Sequence, residues 1–275
     1  MSGTLYIVST PIGNLTDISL RALEVLKNSD YILAESSART SKLLNEYTIK
    51  KKIITFNKDN EKRKRLSIIK DIEKGSKVAL VSDAGTPVIS DPGFELIKNL
   101  GSASTIVPVP GASSLTTAIS VSKIPLNNFM FLGFLPKKSI ERKTQLLRIK
   151  DSLMPAIVFE SKHRLVAVLS EIIEVMGPQT NVGVLRELTK IHEEISFGAS
   201  SDLLTRYSNN PPSGEITLII GTSSNKPTSF HDLDAQILKL SKQYSASEVV
   251  NIIRMFHVIN KKELYKYVLN IRHEG

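Results

Sequence analysis

Three short segments combine proline, glycine and small hydroxyl residues, a composition suited to loops that wrap a polar ligand. They are "STPIGNL" (residues 9–15), "SDAGTPVISDPG" (residues 82–93) and "PVPGASSL" (residues 108–115). Glycine lets a ligand approach the backbone, proline fixes the turn, and hydroxyls and free amides supply hydrogen bonds. A single segment of this composition is usually just a turn without a ligand. Because ligands of open α/β sheets bind beyond the carboxyl ends of the strands, the three together predict a pocket for a small polar cofactor.

Several common chemistries lack the residues they need. The chain has no cysteine, which excludes disulfide and thiolate sites, and no G-x-x-x-x-G-K-[ST] or helix-opening G-x-G-x-x-G motif. Its histidines show no H-E-x-x-H or comparable spacing; they are His163, His192, His231, His257 and His273. We therefore expect no metal, no standard dinucleotide fold and no P-loop.

The elements that must position the three segments alternate along the chain. From "LYIVS" to "ASSLTTAISVSK", short apolar runs alternate with amphipathic stretches, the first of which places Asp17 near a helix start. This βαβ pattern predicts a mostly parallel sheet. Farther on, "NVGVLREL", "HEEISFG" and "GEITLIIG" follow one another closely, which predicts a mixed sheet with antiparallel pairing.

The chain end differs in composition from the rest. A polar stretch at residues 222–232 predicts a linker, and three helical segments follow it, with Ser245 or Ser247 as a cap of the second. We predict an α/β fold in three parts: a parallel-sheet domain at residues 1–124, a mixed-sheet domain at residues 125–221 and a small helical module at residues 222–275.

Positive charge is concentrated rather than spread. The formal net charge is +9, and Ile49–Leu66 holds eight Lys or Arg residues against one Asp and one Glu. Such a run is either a solvated helix face or a patch for nucleic-acid phosphates. The first residues lack a basic and apolar leader, and no apolar run reaches the length of a membrane span, so we expect a cytoplasmic protein without a membrane partner.

Six motifs, in order along the chain, resemble the ribosomal RNA-methylating branch of the tetrapyrrole methylase superfamily. They are "LYIVSTPIGNLTDISLRALEVL", "VALVSDAGTPVISDPG", "VPVPGASSL", "GFLPKK", "FESKHRL" and "LRELTKIHEE". The resemblance implies a two-domain α/β fold of the tetrapyrrole methylase type, with S-adenosylmethionine in the cleft between domains. It also implies a homodimer that methylates the ribose 2′-hydroxyl of a decoding-centre cytidine in the 16S rRNA of the small ribosomal subunit.

The resemblance also implies which residues act. Those expected to bind the cofactor are Pro11, Asp83, Gly85, Thr86, Pro87, Ile89, Ser114, Leu115 and Leu188. Those expected to contact RNA are Arg39, Lys58, Arg63, Lys64, Arg65, Lys137, Lys138, Arg142 and Arg186. A ribose hydroxyl is a poor nucleophile, so the site needs a general base. Glu35 and Asp17 are the first candidates, and Lys190 could serve if its pKa were lowered.

One departure from the family pattern leaves alternatives open. Where that pattern has Glu-Asp-Thr-Arg, this chain has Glu35 followed by Ser36, Ser37 and Ala38, with Arg39 one position beyond. If the missing Asp were the base, the protein would be an rRNA-binding assembly factor with impaired catalysis. A methyltransferase for a tetrapyrrole or another small molecule is the second alternative. Two basic segments, Lys50–Arg65 and Lys137–Lys143, argue against it because they are expected to face rRNA phosphates.

Overall fold

Residues 3–222, 230–257 and 259–274 are described by the structure, a computed structural model of the chain. Most of the linker predicted at residues 222–232 lies outside these residues. They form two five-stranded sheets with flanking helices, followed by three further helices. Among the described residues, the helices are all too short or too polar to cross a membrane.

The first sheet is parallel throughout and covered on both faces. Its strand order is β3-β2-β4-β1-β5. The strands are β1 (Thr4–Val8), β2 (Tyr31–Ala34), β3 (Lys52–Thr55), β4 (Lys77–Val81) and β5 (Thr105–Val109). Leu33 of β2 packs into one apolar cluster, whereas Ile32 and Ala34 pack into another. Because both faces are buried, these strands are nearly continuous apolar runs, which made most of them recognisable in the sequence.

The helices of this half connect the parallel strands. They are α1 (Leu20–Asn28), α2 (Ser37–Glu46), α3 (Glu61–Glu73), α4 (Phe94–Lys98) and α5 (Ser114–Ser120). The sequence analysis did not predict α2 or β3, because α2 is mostly polar and β3 is a short edge strand that follows two lysines. The first helix begins later than predicted, since Ser19 caps it and Asp17 ends a separate 3₁₀ turn.

The second sheet is mixed and has the order β6-β7-β10-β8-β9. Its strands are β6 (Met130–Phe134), β7 (Ala156–Ser161), β8 (Asn181–Arg186), β9 (Glu194–Ala199) and β10 (Glu215–Ile220). Only the β6–β7 pair is parallel within this described sheet. Three helices pack beside it, namely α6 (Ser139–Ser152), α7 (Leu165–Met176) and α8 (Ser200–Asn209). The predicted α/β fold with one parallel and one mixed sheet is confirmed.

The C-terminal helices have an apolar core of their own. They are α9 (Asp234–Ser241), α10 (Ala246–Phe256) and α11 (Lys261–Glu274). Ile237, Val250 and Leu264 are buried in that core. Ser245, not Ser247, caps α10, and the Glu248 carboxylate accepts from the Ser245 backbone in return, completing a capping box. The division into domains at residues 124 and 221 stays a prediction.

Candidate active site

A cleft lies where the carboxyl ends of the parallel strands face the second sheet. Its second wall comes from the ends of β6, β7 and β8 and the start of β10. The two halves also approach each other closely at residues next to Ile12 and Leu188 of the cleft lining. A Cβ at Gly13 would lie 2.4 Å from Cγ of Lys190 and 2.8 Å from the carbonyl oxygen of Leu188. Only glycine therefore allows the loop after β1 to meet the loop after β8 so closely.

The loop after β4 is held in an unusual backbone conformation. Thr10 and Gly85 exchange two backbone hydrogen bonds of 2.9 and 3.0 Å, which tie this loop to the loop after β1. Gly85 has a φ of 77°, a value that glycine adopts without steric cost. Val88 and Ser90 are also left-handed, with φ values of 76° and 69°. A non-glycine residue in this conformation raises the free energy of the folded state by on the order of 1–3 kcal/mol, and such residues cluster at functional sites.

The structure brings most of the predicted cofactor residues to this cleft. Those that line it are Asp83, Gly85, Thr86, Ile89, Ser114 and Leu188. Pro11, Pro87 and Leu115 fall outside the set of described residues that line the cleft. Leu115 instead packs against the apolar cluster around Ala118 and Leu185. The Ser9 and Thr86 hydroxyls are hydrogen-bonded at 2.9 Å, which joins two of the three predicted loops.

The second sheet contributes lining residues, of which the sequence analysis missed Phe134 and Phe159. Phe134 and Phe159 contact each other edge to face, with ring centroids 5.6 Å apart, and both line the cleft. Phe134 leaves 59% of its surface exposed. Glu160 also lines the cleft, although its side chain is fully buried. The motifs "GFLPKK" and "FESKHRL" begin at or beside these residues, and that was the available signal.

The departure at Ser36 does not remove the backbone contact made there. The Ser36 N–H donates to Oδ1 of Asp83 at 2.9 Å, and any residue except proline could do so. Arg39 forms an ion pair with Oδ2 of the same carboxylate at 3.1 Å and lines the cleft. The guanidinium of Arg39, one position beyond the arginine of the family pattern, thus neutralises Asp83.

Glu160 holds one unmatched hydrogen-bond acceptor. Its Oε1 accepts from the Ser161 N–H at 2.6 Å and from Nε of Arg164 at 2.7 Å. Its Oε2 is buried and has no hydrogen-bond partner among the described residues. A buried acceptor is normally satisfied, so this oxygen is an expected contact of a ligand that carries an N–H or O–H.

Lys190 does not fit the role of a general base. Burial alone would lower its pKa, but hydrogen bonds to Glu187 at 2.8 Å and to Glu215 at 3.1 Å outweigh burial and raise the pKa. A lysine whose pKa is raised stays protonated at neutral pH and cannot accept a proton. The prediction for Lys190 as a base is therefore wrong, and its ion pairs make it a structural link between β8 and β10.

The two carboxylates first proposed as bases also lie apart from the lining. Asp17 is exposed in the 3₁₀ turn before α1, and Glu35 is half-buried at the end of β2; neither is among the described residues that line the cleft. Asp91, which the sequence analysis passed over, does line it. Burial raises the pKa of Asp91 to about 6, and the negative charges of Glu35 and Asp83 add to the rise while Lys58 opposes it.

The predicted RNA-binding residues differ in the partners that their side chains have. Arg63 and Lys137 are exposed, and Lys138 is exposed beside Glu141 at 3.3 Å. The remaining side chains have partners, which are the Ser90 carbonyl for Lys58, the Thr55 carbonyl for Lys64, Glu95 for Arg65 and Glu194 for Arg186.

Arg142 is the clear error among these predictions. Only 7% of its side chain is exposed, and its Nε and Nη2 donate to the two carboxylate oxygens of Glu171 at 2.8 and 2.7 Å. The basic segment that contains it starts α6, and the helical turn directs Arg142 toward α7 rather than toward solvent. A buried, fully paired guanidinium cannot contact RNA phosphates.

Metal ligands are not gathered at this cleft or elsewhere in the described ranges. No three His, Asp, Glu or Cys side chains of residues 3–222, 230–257 and 259–274 lie close enough together to hold an ion.

Fold and cleft define a class of two-sheet methylases. The family described as Tetrapyrrole (Corrin/Porphyrin) Methylases matches residues 4–203. Solved structures agree at the level of fold. Uroporphyrin-III-C-methyltransferase from Thermus thermophilus superposes with a TM-score of 0.55 at 20% identity, over 80% of this chain and 95% of that one. A diphthine synthase gives a TM-score of 0.60 at 12% identity, over 80% and 90% of the two chains.

Relatives with higher sequence identity define the family within this class. A protein of Buchnera aphidicola subsp. Acyrthosiphon pisum (strain APS), named ribosomal RNA small subunit methyltransferase I, is 41% identical over 97% of this chain and 96% of its own length. The Thermotoga maritima protein of the same name is 43% identical over 79% of this chain and 98% of its own length. The chain belongs to the ribosomal RNA small subunit methyltransferase I family of tetrapyrrole methylases.

The chain is therefore a methyltransferase whose cofactor is S-adenosylmethionine. The residues of the cleft fit that cofactor, which carries a sulfonium and an ammonium group. Asp83, Asp91, Glu160 and Glu215 line the cleft against a single described cation, Arg39. The lining also includes apolar side chains that an adenine ring requires, among them Ile12, Leu185, Leu188 and Ile216.

Proposed function

We propose that this protein transfers a methyl group to the ribose 2′-hydroxyl of a decoding-centre cytidine in 16S rRNA, with the small ribosomal subunit as substrate. The observation that carries the proposal is the similarity to relatives named ribosomal RNA small subunit methyltransferase I, which extends over nearly the whole chain. The small-molecule alternative has weaker support, since uroporphyrin-III-C-methyltransferase from Thermus thermophilus and a cobalt precorrin-4 methyltransferase are only 20% and 19% identical to this chain.

In this proposal the loop after β4 and the loop after β8 hold the cofactor between the sheets. Gly85 and Thr86 line the cleft at a point where a ligand can approach the backbone, and Ile89 and Leu188 provide apolar contact. S-adenosylmethionine supplies, when bound, a methyl group already activated on its sulfonium. The protein's own part is to orient the acceptor hydroxyl, exclude water and accept a proton.

The RNA side of the cleft has its own features. Phe134 is an exposed aromatic ring at the cleft, and proteins recognise unpaired RNA bases by stacking them on such rings. We assign to it the base of the target nucleotide. Arg63, Lys137 and Lys138 are exposed cations of the predicted set that face no described residue of the cleft lining, and we assign phosphate contacts to them.

One labelling experiment tests the proposal. The protein is incubated with S-adenosylmethionine labelled in its methyl group and with small subunits that lack the modification, and the labelled nucleotide is mapped. We expect label on the ribose of a single decoding-centre cytidine. Tight binding of subunits without transfer would favour the assembly-factor alternative, and label on a base rather than on ribose would refute the reaction. A tetrapyrrole acceptor serves as the matched substrate control.

We further propose that the protein acts as a homodimer in the cytoplasm. Light scattering of the purified protein tests the first statement, with twice the mass of the 30.4 kDa chain as the expected result. A mass of one chain at micromolar concentration would contradict it. Fractionation of cells that produce the tagged protein tests the second statement.

A further inference from the structure

Four carboxylates line the described part of the cleft, and three of them are neutralised. Asp83 is paired with Arg39, Glu160 with Arg164, and Glu215 with Lys190. In each of these three carboxylates an oxygen is already engaged by a guanidinium or ammonium group. The fourth carboxylate, Asp91, has no ion pair within 4.0 Å among the described residues.

The charges that face Asp91 come from three different loops. Glu35 at the end of β2 and Asp83 after β4 are negative, and Lys58 in the loop before α3 is positive. The ammonium group of Lys58 donates to the Ser90 carbonyl at 3.0 Å. That ammonium group is thus directed at the backbone, and the nearest carboxylates favour protonation of Asp91.

The backbone around Asp91 is held from both sheets. Ser90 has the left-handed conformation described above, and its hydroxyl approaches Gly133 of β6 so closely that a Cβ there would lie 2.8 Å from Oγ. On the other side, the Gly93 N–H donates to Oε1 of Glu61 at 3.2 Å. Asp91 therefore lies between residues that contact other parts of the fold, and such contacts help to position a residue that must meet a reacting atom.

We propose that Asp91 is the general base that removes the proton of the acceptor hydroxyl. The inference rests on the proposed function. The hydroxyl oxygen forms a bond to the methyl carbon, the bond between that carbon and the sulfonium sulfur breaks, and the electron pair stays on sulfur. The hydroxyl proton passes to the Asp91 carboxylate and then to solvent. The sulfonium charge is lost as the proton is released, so no other reactant is needed.

The proton affinity of this group suits the role. A base is most effective when its pKa lies near the working pH, where it is ionised yet still attracts a proton. The raised pKa of Asp91 meets that condition. Asp91 belongs to the same "SDAGTPVISDPG" segment as the predicted cofactor residues, so one loop would contact both the methyl donor and the acceptor.

The test compares Asp91→Asn, Asp91→Glu and a matched control, Asp59→Asn, whose carboxylate is exposed and outside the lining. Single-turnover methyl transfer and calorimetric binding of S-adenosylmethionine are measured for each. We expect the Asn variant to lose about 10²–10⁴-fold in rate while cofactor affinity changes by less than about 3-fold. The Glu variant should recover part of the rate, and the control should match the parent protein.

The pH dependence provides a readout that a purely structural role would not change. The parent rate should fall tenfold per unit below about pH 6, and Asp91→Asn should lose that dependence. Glu35→Gln should move the acid limb to lower pH, because it removes a negative neighbour. If Glu35→Gln abolishes the pH dependence and Asp91→Asn leaves it intact, Glu35 is the base and the proposal fails.

A second readout needs no turnover. In protein with ¹³C-labelled aspartate carboxyls, one signal should titrate near pH 6 and should be absent from Asp91→Asn. A signal assigned to Asp91 that titrates near pH 4 would overturn the inference. A parent protein that methylates no RNA would overturn the proposed function and this base together. An active parent with an equally active Asn variant would overturn the base alone.

Discussion

Replacing Asp91 with Asn should stabilise the protein at neutral pH but much less in acid. The folded-state pKa of Asp91 is raised from 3.8 to about 6, so the folded protein binds this proton more tightly than the unfolded chain does. The resulting stabilisation is present below about pH 4 and is lost as the pH rises through 6. About two pKa units at about 1.4 kcal/mol each give roughly 3 kcal/mol, which partial solvent exposure reduces to about 1–1.5 kcal/mol.

Urea unfolding of the parent and the Asn variant at pH 4 and pH 7 measures this directly. The free energy of unfolding of Asp91→Asn, relative to the parent, should be about 1 kcal/mol higher at pH 7 than at pH 4. Asp59→Asn, which removes an exposed carboxylate, controls for the change in net charge. If the difference in unfolding free energy between Asp91→Asn and the parent stays constant or falls from pH 4 to pH 7, the buried environment of the Asp91 carboxylate is refuted. If Asp91→Asn gains stability at pH 7 and also loses methyl transfer, Asp91 is a residue that lowers stability but is retained for its function.

Three further predictions concern other parts of the molecule. Arg142→Met leaves the buried Glu171 carboxylate without its ion pair and should lower the free energy of unfolding by about 3–5 kcal/mol. The double variant that also carries Glu171→Leu should recover most of that loss. Equal urea midpoints for the single and double variants would contradict this. Changing Arg63 and Lys137 to Gln should weaken binding of small subunits and reduce the salt slope of log affinity by about two, and an unchanged slope would remove them from the RNA surface. Phe134→Ala should weaken RNA binding by about 1–3 kcal/mol in a filter-binding assay, because the ring for base stacking is lost. Phe134→Tyr, which keeps a ring, should bind RNA with nearly the affinity of the parent protein. Equal affinities of the Ala and Tyr variants would exclude stacking.

The three loops illustrate what could be predicted from the chain alone. Their composition and their position after apolar runs predicted a pocket, and the structure brings Ile12, Gly85 and Ser114, one from each loop, to the same cleft. Turn chemistry and strand patterning are local properties, and parallel strands place their carboxyl ends at one sheet edge. The second wall could not be located in this way, because Phe134 and Glu160 reach the cleft only through the packing of the two sheets.

Arg142 and Lys137 show where the local argument failed. Both belong to the same basic segment, yet one is buried against Glu171 and the other is exposed. The difference arises from the register of α6, a helix that the sequence analysis did not predict, and from the carboxylate that α7 places opposite it. Composition indicates that a segment is charged, but it does not indicate which of its charges meet solvent.

The sequence by itself determined the class of fold, the loops that line the cleft and the family resemblance that the comparisons confirmed. These features can be predicted from neighbouring residues alone, because they depend on strand and helix periodicity, on proline and glycine turns and on long motifs. Only the tertiary structure decided the state of the ionisable groups. Lys190 has a raised pKa because Glu215 of β10 joins the nearby Glu187 in binding its ammonium group, and Asp91 has a raised pKa because burial and Glu35, which is distant in sequence, act on it. Proton affinity depends on solvent access and on distances between charges, and both are set when separate parts of the chain pack together.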